Sequence, residues 1–131
     1  MRGMKRGKID ISGLKMPPEK CEFRVAKILS DLGQNIIFIP QSNIKNIKRP
    51  DFEIAGEKWE LKSPIGSSRR TLQNNIHKAQ FQSKNIIIDL SRSKINEQKA
   101  ISQIKFEFAK RKSIKKLKII TKDGHIIDLK R

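Results

Sequence analysis

Asp51, Glu60 and Lys62 place two carboxylates and an ammonium within a short stretch near the middle of the chain. Carboxylate oxygens are the ligands that Mg²⁺ and Mn²⁺ prefer. A lysine beside them can hold a water, or set a fixed positive charge where a phosphate becomes more negative in the transition state. Cation, water and lysine next to an anionic substrate are what phosphodiester hydrolysis requires. Pro-Asp and Glu-x-Lys are common fragments, however, and an exposed Glu-Leu-Lys on a basic surface ordinarily does nothing. The chemistry therefore depends on elements that bring the three together.

Residues 50–63, PDFEIAGEKWELKS, read as a hairpin with a two-residue turn at Ala55-Gly56. Ile54 then faces Glu57, Glu53 faces Lys58, Phe52 faces Trp59, and Asp51 faces Glu60. Side chains alternate along a strand, so Phe52, Ile54, Trp59 and Leu61 share one apolar face. Asp51, Glu53, Lys58, Glu60 and Lys62 share the other. A pairing with Gly56 in a bulge would set Asp51 opposite Trp59 and mix the two faces, which register selection disfavours. In the two-residue reading the Cβ atoms of Asp51 and Glu60 lie about 4.5–5.5 Å apart, and like charges so opposed call for a neutralising cation.

The elements around this hairpin follow from periodicity. Pro17 and Pro18 suit a helix start. Cys21, Val25, Ile28, Leu29 and Leu32 form its apolar stripe, and Gly33 stops it. Residues 35–40 read as a buried strand, Ile36-Ile37-Phe38-Ile39, and residues 41–49 as a polar loop. Ser67 and Ser68 can cap a helix over Arg69 to Gln82 with Leu72, Ile76 and Ala79 inward. Residues 85–90 carry Ile86-Ile87-Ile88, a continuous apolar run of the kind covered on both faces of a sheet. Ser93 can cap a third helix to about Lys112, with Ala100, Ile101, Ile104 and Phe108 inward. Leu117 to Thr121 and Ile126 to Leu129 form a last hairpin around Asp123-Gly124. The order is helix, strand, hairpin, helix, strand, helix, hairpin: a small α/β domain with a mixed β-sheet flanked by helices, over 17–131. Residues 1–16, with three glycines, five basic residues and no periodicity, read as a flexible basic lead-in or linker.

Composition narrows the partner. The 131 residues carry a formal net charge of +17, so the natural ligand is negative. At 36% apolar the chain can still fold around a core. A single cysteine, Cys21, excludes an internal disulfide and a Cys-based zinc site. No apolar run approaches the roughly 20 residues needed to span a bilayer. The first residues contain no apolar stretch of signal-peptide length.

Pro50-Asp51, eight residues, then Glu60-Leu61-Lys62 matches the short, degenerate signature of PD-(D/E)XK nucleases, which have the restriction-endonuclease-like fold. PDFEIAGEKWELKSP, with SSRRTLQNNIHKAQ and NIIIDL after it, resembles more specifically the C-terminal tRNase domain of contact-dependent growth-inhibition toxins. Domains of this kind also occur on proteins of phages and mobile elements. The resemblance covers about residues 18–92. It implies Asp51 and Glu60 as metal-binding acids, Lys62 as the catalytic lysine, and a divalent ion, Mg²⁺ or Mn²⁺ with Zn²⁺ as a further candidate. It adds an acid from the first helix, where Glu22 stands, with Glu19 as fallback; an ordinary solvated glutamate is the competing reading for both. It implies further a tRNA substrate, action in the bacterial cytoplasm as a delivered toxin fragment, and a protein inhibitor, or immunity protein, which for so basic an enzyme should be acidic.

On the helix after the motif, Thr71, Asn75 and Lys78 fall on one stripe beside the core stripe, suited to phosphate or ribose contacts. Arg69 and Arg70 at its start can grip a backbone phosphate; the plain alternative is that all five are surface residues. His77, beside that stripe, can bind nucleic acid or be a plain surface histidine; His125 and Cys21 read as structural, Trp59 as core, and Glu53 as a third acid or as the partner of Lys58. Lys110 to Lys118 holds six basic residues in nine, either a phosphate track or a solvated helix end. Two rivals share these residues: a DNA endonuclease of the same fold, and a non-catalytic basic nucleic-acid-binding module with an incidental acidic pair.

Overall fold

A computed structural model describes residues 5–45 and 47–131. The first four residues of the expected lead-in and one residue of the expected 41–49 loop lie outside them. The described residues form two compact units, one ending at Trp59 and one spanning Glu60–Arg131. Strand β4 runs through the junction. With seven strands and three helices among the described residues, the architecture is mixed α/β, in the order expected from the sequence, plus one strand.

The first unit holds β1 (Ile9–Asp10), α1 (Lys20–Asp31), β2 (Ile36–Phe38), β3 (Phe52–Ile54) and the first half of β4 (Glu57–Lys62). The additional strand is β1, which pairs parallel to β2, Ile9 against Ile36. Two residues give no periodicity to read, and main-chain bonds suffice to add them to an open edge; Gly7 N–H to Ser30 O at 2.7 Å ties the same segment to α1. Val25, Ala26 and Leu29 bury one face of α1, and Gly33, at φ 92°, supplies the left-handed stop. Leu32, expected in the stripe, is exposed because the helix has ended. Ile37 is exposed too: α1 packs on β2 and the strand alternates, so only Ile36 and Phe38 are buried. Phe38 meets Phe52 edge-on, ring centroids 4.9 Å apart.

The second unit continues β4 through α2 (Arg69–Ala79), β5 (Asn85–Asp89), α3 (Glu97–Lys110), β6 (Lys116–Ile120) and β7 (Ile126–Lys130). Strands β4, β5 and β6 run parallel, and β7 returns antiparallel on β6. Every residue of β5 is buried, as a strand with parallel neighbours on both edges and covered faces must be. Leu72, Ile76 and Ala79 of α2 and Ala100, Ile101, Ile104 and Phe108 of α3 close over Ile86, Ile88, Leu117 and Ile119. Ser68 caps α2, its Oγ accepting from Arg70 N–H. The cap of α3 is Asn96, three residues beyond the expected Ser93. Ser93 is held instead in a bridge with Gly66.

Candidate functional site

The turn that fixes the motif is as the sequence implied. Ala55 and Gly56 both have positive φ, 52° and 81°, the signature of a tight hairpin turn. The ladder pairs Ile54 with Glu57, Glu53 with Lys58, and Phe52 with Trp59. Phe52, Ile54, Trp59 and Leu61 are all buried, so the apolar face is real, and Trp59 belongs to the core.

The ladder stops at the Phe52–Trp59 pair. Asp51 N–H donates to Trp59 O at 3.0 Å, so Trp59 has two successive residues of the other strand against it, the arrangement of a β-bulge. The direct pairing of Asp51 with Glu60 expected from the turn does not extend the ladder. Alternation of side chains carries no information about which carbonyl an N–H will choose. The Asp51 carbonyl accepts from Ile39 N–H at 3.0 Å, which pins the residue from both sides. The loop before it closes on a reciprocal pair, Gln41 Nε2 to Arg49 O at 3.1 Å and Arg49 N–H to Gln41 Oε1 at 3.3 Å.

Glu22 accepts from Glu19 N–H at 3.0 Å, the return half of a capping box at the start of α1. Its carboxyl is held above the ordinary carboxylate range, first by burial and then by the negative charges of Asp51 and Glu19, against the lowering effect of the Glu19 N–H. Glu22 thus lies within electrostatic reach of Asp51, while Glu19 serves as the helix cap.

In the second unit Glu60 is 4% exposed. Lys62, two residues along the same strand face, sets Nζ 3.2 Å from Glu60 Oε2. A carboxylate taken out of water requires such a partner. Among the described residues no group of three or more His, Cys, Asp or Glu forms a ready-made metal cage. Mg²⁺ does not need one: it keeps several waters and takes one or two protein carboxylates.

The helix residues are mixed. Thr71 and Asn75 are half-buried, and Lys78, Arg69 and Arg70 are exposed. Asn75 spends an amide hydrogen on Thr71 O at 2.8 Å. The Arg69 carbonyl accepts from Gln103 Nε2 at 2.8 Å, leaving its guanidinium outward.

One network escaped the sequence. Asp89, fully buried at the end of β5, accepts from Ser91 N–H and Ser91 Oγ, both at 3.0 Å, and from Ser63 Oγ at 3.4 Å. Ser63 directly follows Lys62, and Arg92 grips it with Nε to Oγ at 3.2 Å and Nη2 to O at 2.9 Å. Carboxylate, hydroxyls and guanidinium together lock the chain just beyond Lys62 at the carboxyl ends of two parallel strands, where α/β sheets commonly hold their ligands.

Comparison with known proteins adds to this geometry. A family model described as contact-dependent growth inhibition CdiA C-terminal domain matches residues 48–126. No curated protein matches the chain. Among solved structures, a chain of a CdiA-CT/CdiI toxin and immunity complex from Burkholderia pseudomallei superposes with a TM-score of 0.67 at 20% identity, covering 95% of this chain and 100% of that one. At that identity the match speaks for a shared fold.

Proposed function

Because the chain belongs to the contact-dependent growth inhibition CdiA C-terminal domain family, and is thus a growth-inhibiting toxin domain of a kind delivered into target cells, we propose that it is a metal-dependent endoribonuclease. In this reading it has a PD-(D/E)XK core and hydrolyses phosphodiester bonds of structured RNA, above all tRNA, in the cytoplasm of the target. The observation that carries the reading is a buried carboxylate, Glu60, with the Lys62 ammonium at 3.2 Å, inside the Asp-x₈-Glu-x-Lys spacing.

Asp51 and Glu60 would hold the cation. A bound Mg²⁺ or Mn²⁺ supplies a water of lowered pKa and neutralises phosphate charge. Lys62 offers a positive charge to the phosphate oxygen that gains charge at the transition state. Glu60 orients Lys62, and the Ser63–Asp89–Arg92 lock keeps the strand end from drifting. Glu22 adds negative charge beside Asp51, which strengthens its hold on a cation. Arg69, Arg70 and Lys78 bind backbone phosphates on either side of the cleaved bond, and Thr71 and Asn75 offer a hydroxyl and an amide to ribose. The partner that restrains the enzyme is an acidic immunity protein, in line with the net charge of +17 and with the toxin and immunity complex whose fold it shares.

Incubating the chain with tRNA and with plasmid DNA, each with Mg²⁺, Mn²⁺, Zn²⁺ or a chelator, tests the assignment. We expect tRNA to be cut, the chelator to stop the reaction, and Glu60→Gln to lower the rate by about 10²-fold or more while RNA still binds. Cleavage of plasmid alone would move the reading to the DNA endonuclease. No cleavage by either form, with RNA binding unchanged by Glu60→Gln, would leave the basic binding module.

A further inference from the structure

The C-terminal ends of α2 and α3 present a continuous set of rings and cations that the cleavage chemistry does not use. Phe81 is 76% and Phe106 62% exposed, the most solvent-accessible aromatic rings among the described residues. They are linked through side chains. Phe81 stacks edge-on with His77, centroids 5.3 Å apart. His77 Nδ1 lies 3.3 Å from Arg111 Nη1. Arg111 Nε donates to Glu107 Oε1 at 2.8 Å, Glu107 Oε2 lies 3.7 Å from Lys110 Nζ, and that ammonium sits 5.0 Å from the centre of the Phe106 ring.

Each part suits one kind of ligand. Glu107 is buried and pairs with both cations; the Lys110 side chain is 47% exposed and that of Arg111 13%, so Lys110 presents the charge to solvent. His77 Nδ1 lies within hydrogen-bond distance of both Arg111 Nη1 and Gln80 Nε2, which fixes the ring in place. Exposed rings between cations form a surface on which unstacked bases lie while their phosphates meet the charge. Lys105 and Lys112 are exposed on α3 or just past it. Lysine is depleted at the centres of protein–protein interfaces, so this composition favours nucleic acid over a docking protein.

We propose that His77, Phe81, Phe106 and Lys110, linked through the largely buried Arg111, form a second RNA-binding surface, which takes the unpaired bases of a loop in the structured RNA whose cleavage is proposed above. It rests on that reading for its substrate but not for its geometry.

The test is binding of a fluorescent ten-nucleotide oligouridylate, and of a duplex RNA of equal length, to the full chain in chelator. The variants are Phe81→Ala/Phe106→Ala and the aromatic-retaining Phe81→Tyr/Phe106→Tyr. The alanine pair should weaken oligouridylate binding about tenfold or more with little change in the salt slope, since it removes stacking and no phosphate contact. The tyrosine pair should bind like the parent, and duplex binding should change less than threefold or so, its bases being already stacked. Equal loss for both RNAs, or unchanged oligouridylate binding by the alanine pair, overturns the proposal. The second result together with lost binding of the immunity protein would assign the patch to that partner. Cleavage of tRNA by the parent chain with Mg²⁺ is read separately: its absence counts against the nuclease and leaves the binding result standing.

Discussion

Glu22 shows how one side chain can serve a fold and bear on a site together. Burial holds its carboxyl above the usual carboxylate range, with Asp51 and Glu19 adding to the effect. The folded chain therefore binds this proton more readily than the unfolded chain, and stability falls as pH rises from about 4.5 through the folded value. Glu22→Gln keeps an oxygen for Glu19 N–H and removes the charge. It should raise Tm at pH 7 in metal-free protein, with the difference gone below about pH 4. Thermal melts across that range check it; a lower Tm at pH 7 would mean that the cap outweighs the repulsion. Glu22 was reachable from sequence because it borders the apolar stripe of α1, but its capping role was not, since Glu19 is not among the usual cap residues. Asp89, Ser63 and Arg92 could not be found at all: they are 26 and 29 residues apart and meet only when β4 and β5 are parallel.

At the level of elements, the central hairpin was the most legible part and also the place where reading failed. Gly beside Ala named the turn, and alternating apolar residues named the buried face. The ladder's end at Asp51 depends on one N–H choosing Trp59 O, which no side-chain pattern encodes. β5 was legible because a strand covered on both faces must be continuously apolar. The start of α3 was misjudged because Ser93 and Asn96 are both good caps and only tertiary pairing with Gly66 decides between them. The turn makes its own prediction. Ala55 holds a φ of 52°, a left-handed conformation that costs an L-residue about 1–2 kcal/mol. Ala55→Gly should stabilise the chain by about 0.5–1 kcal/mol after the entropy of glycine is set against the relief, with cleavage unchanged. Urea unfolding measures it, and a destabilised variant would contradict the strain.

For the whole molecule, charge and topology dominate. The +17 net charge was plain in the composition, and it predicts that association with RNA is mostly electrostatic. With about 6–10 phosphate contacts, affinity should fall by about 10³–10⁵ between 50 and 200 mM salt. Titrations at several salt concentrations read the slope directly; a flat response would remove phosphate contacts as the basis of binding. Among the described residues no helix is long and apolar enough to cross a membrane. The parallel order of β4, β5 and β6 has a consequence in time. Each of these strands must wait for a helix-length excursion before it meets its parallel neighbour, whereas the hairpins β3–β4 and β6–β7 can zip together locally within microseconds. Whenever the chain starts from an unfolded state, the strand end carrying Lys62 is completed late, on a scale of milliseconds to seconds. Under the proposed function the enzyme is thus slow to arm, and the proposed immunity protein has that interval in which to meet it.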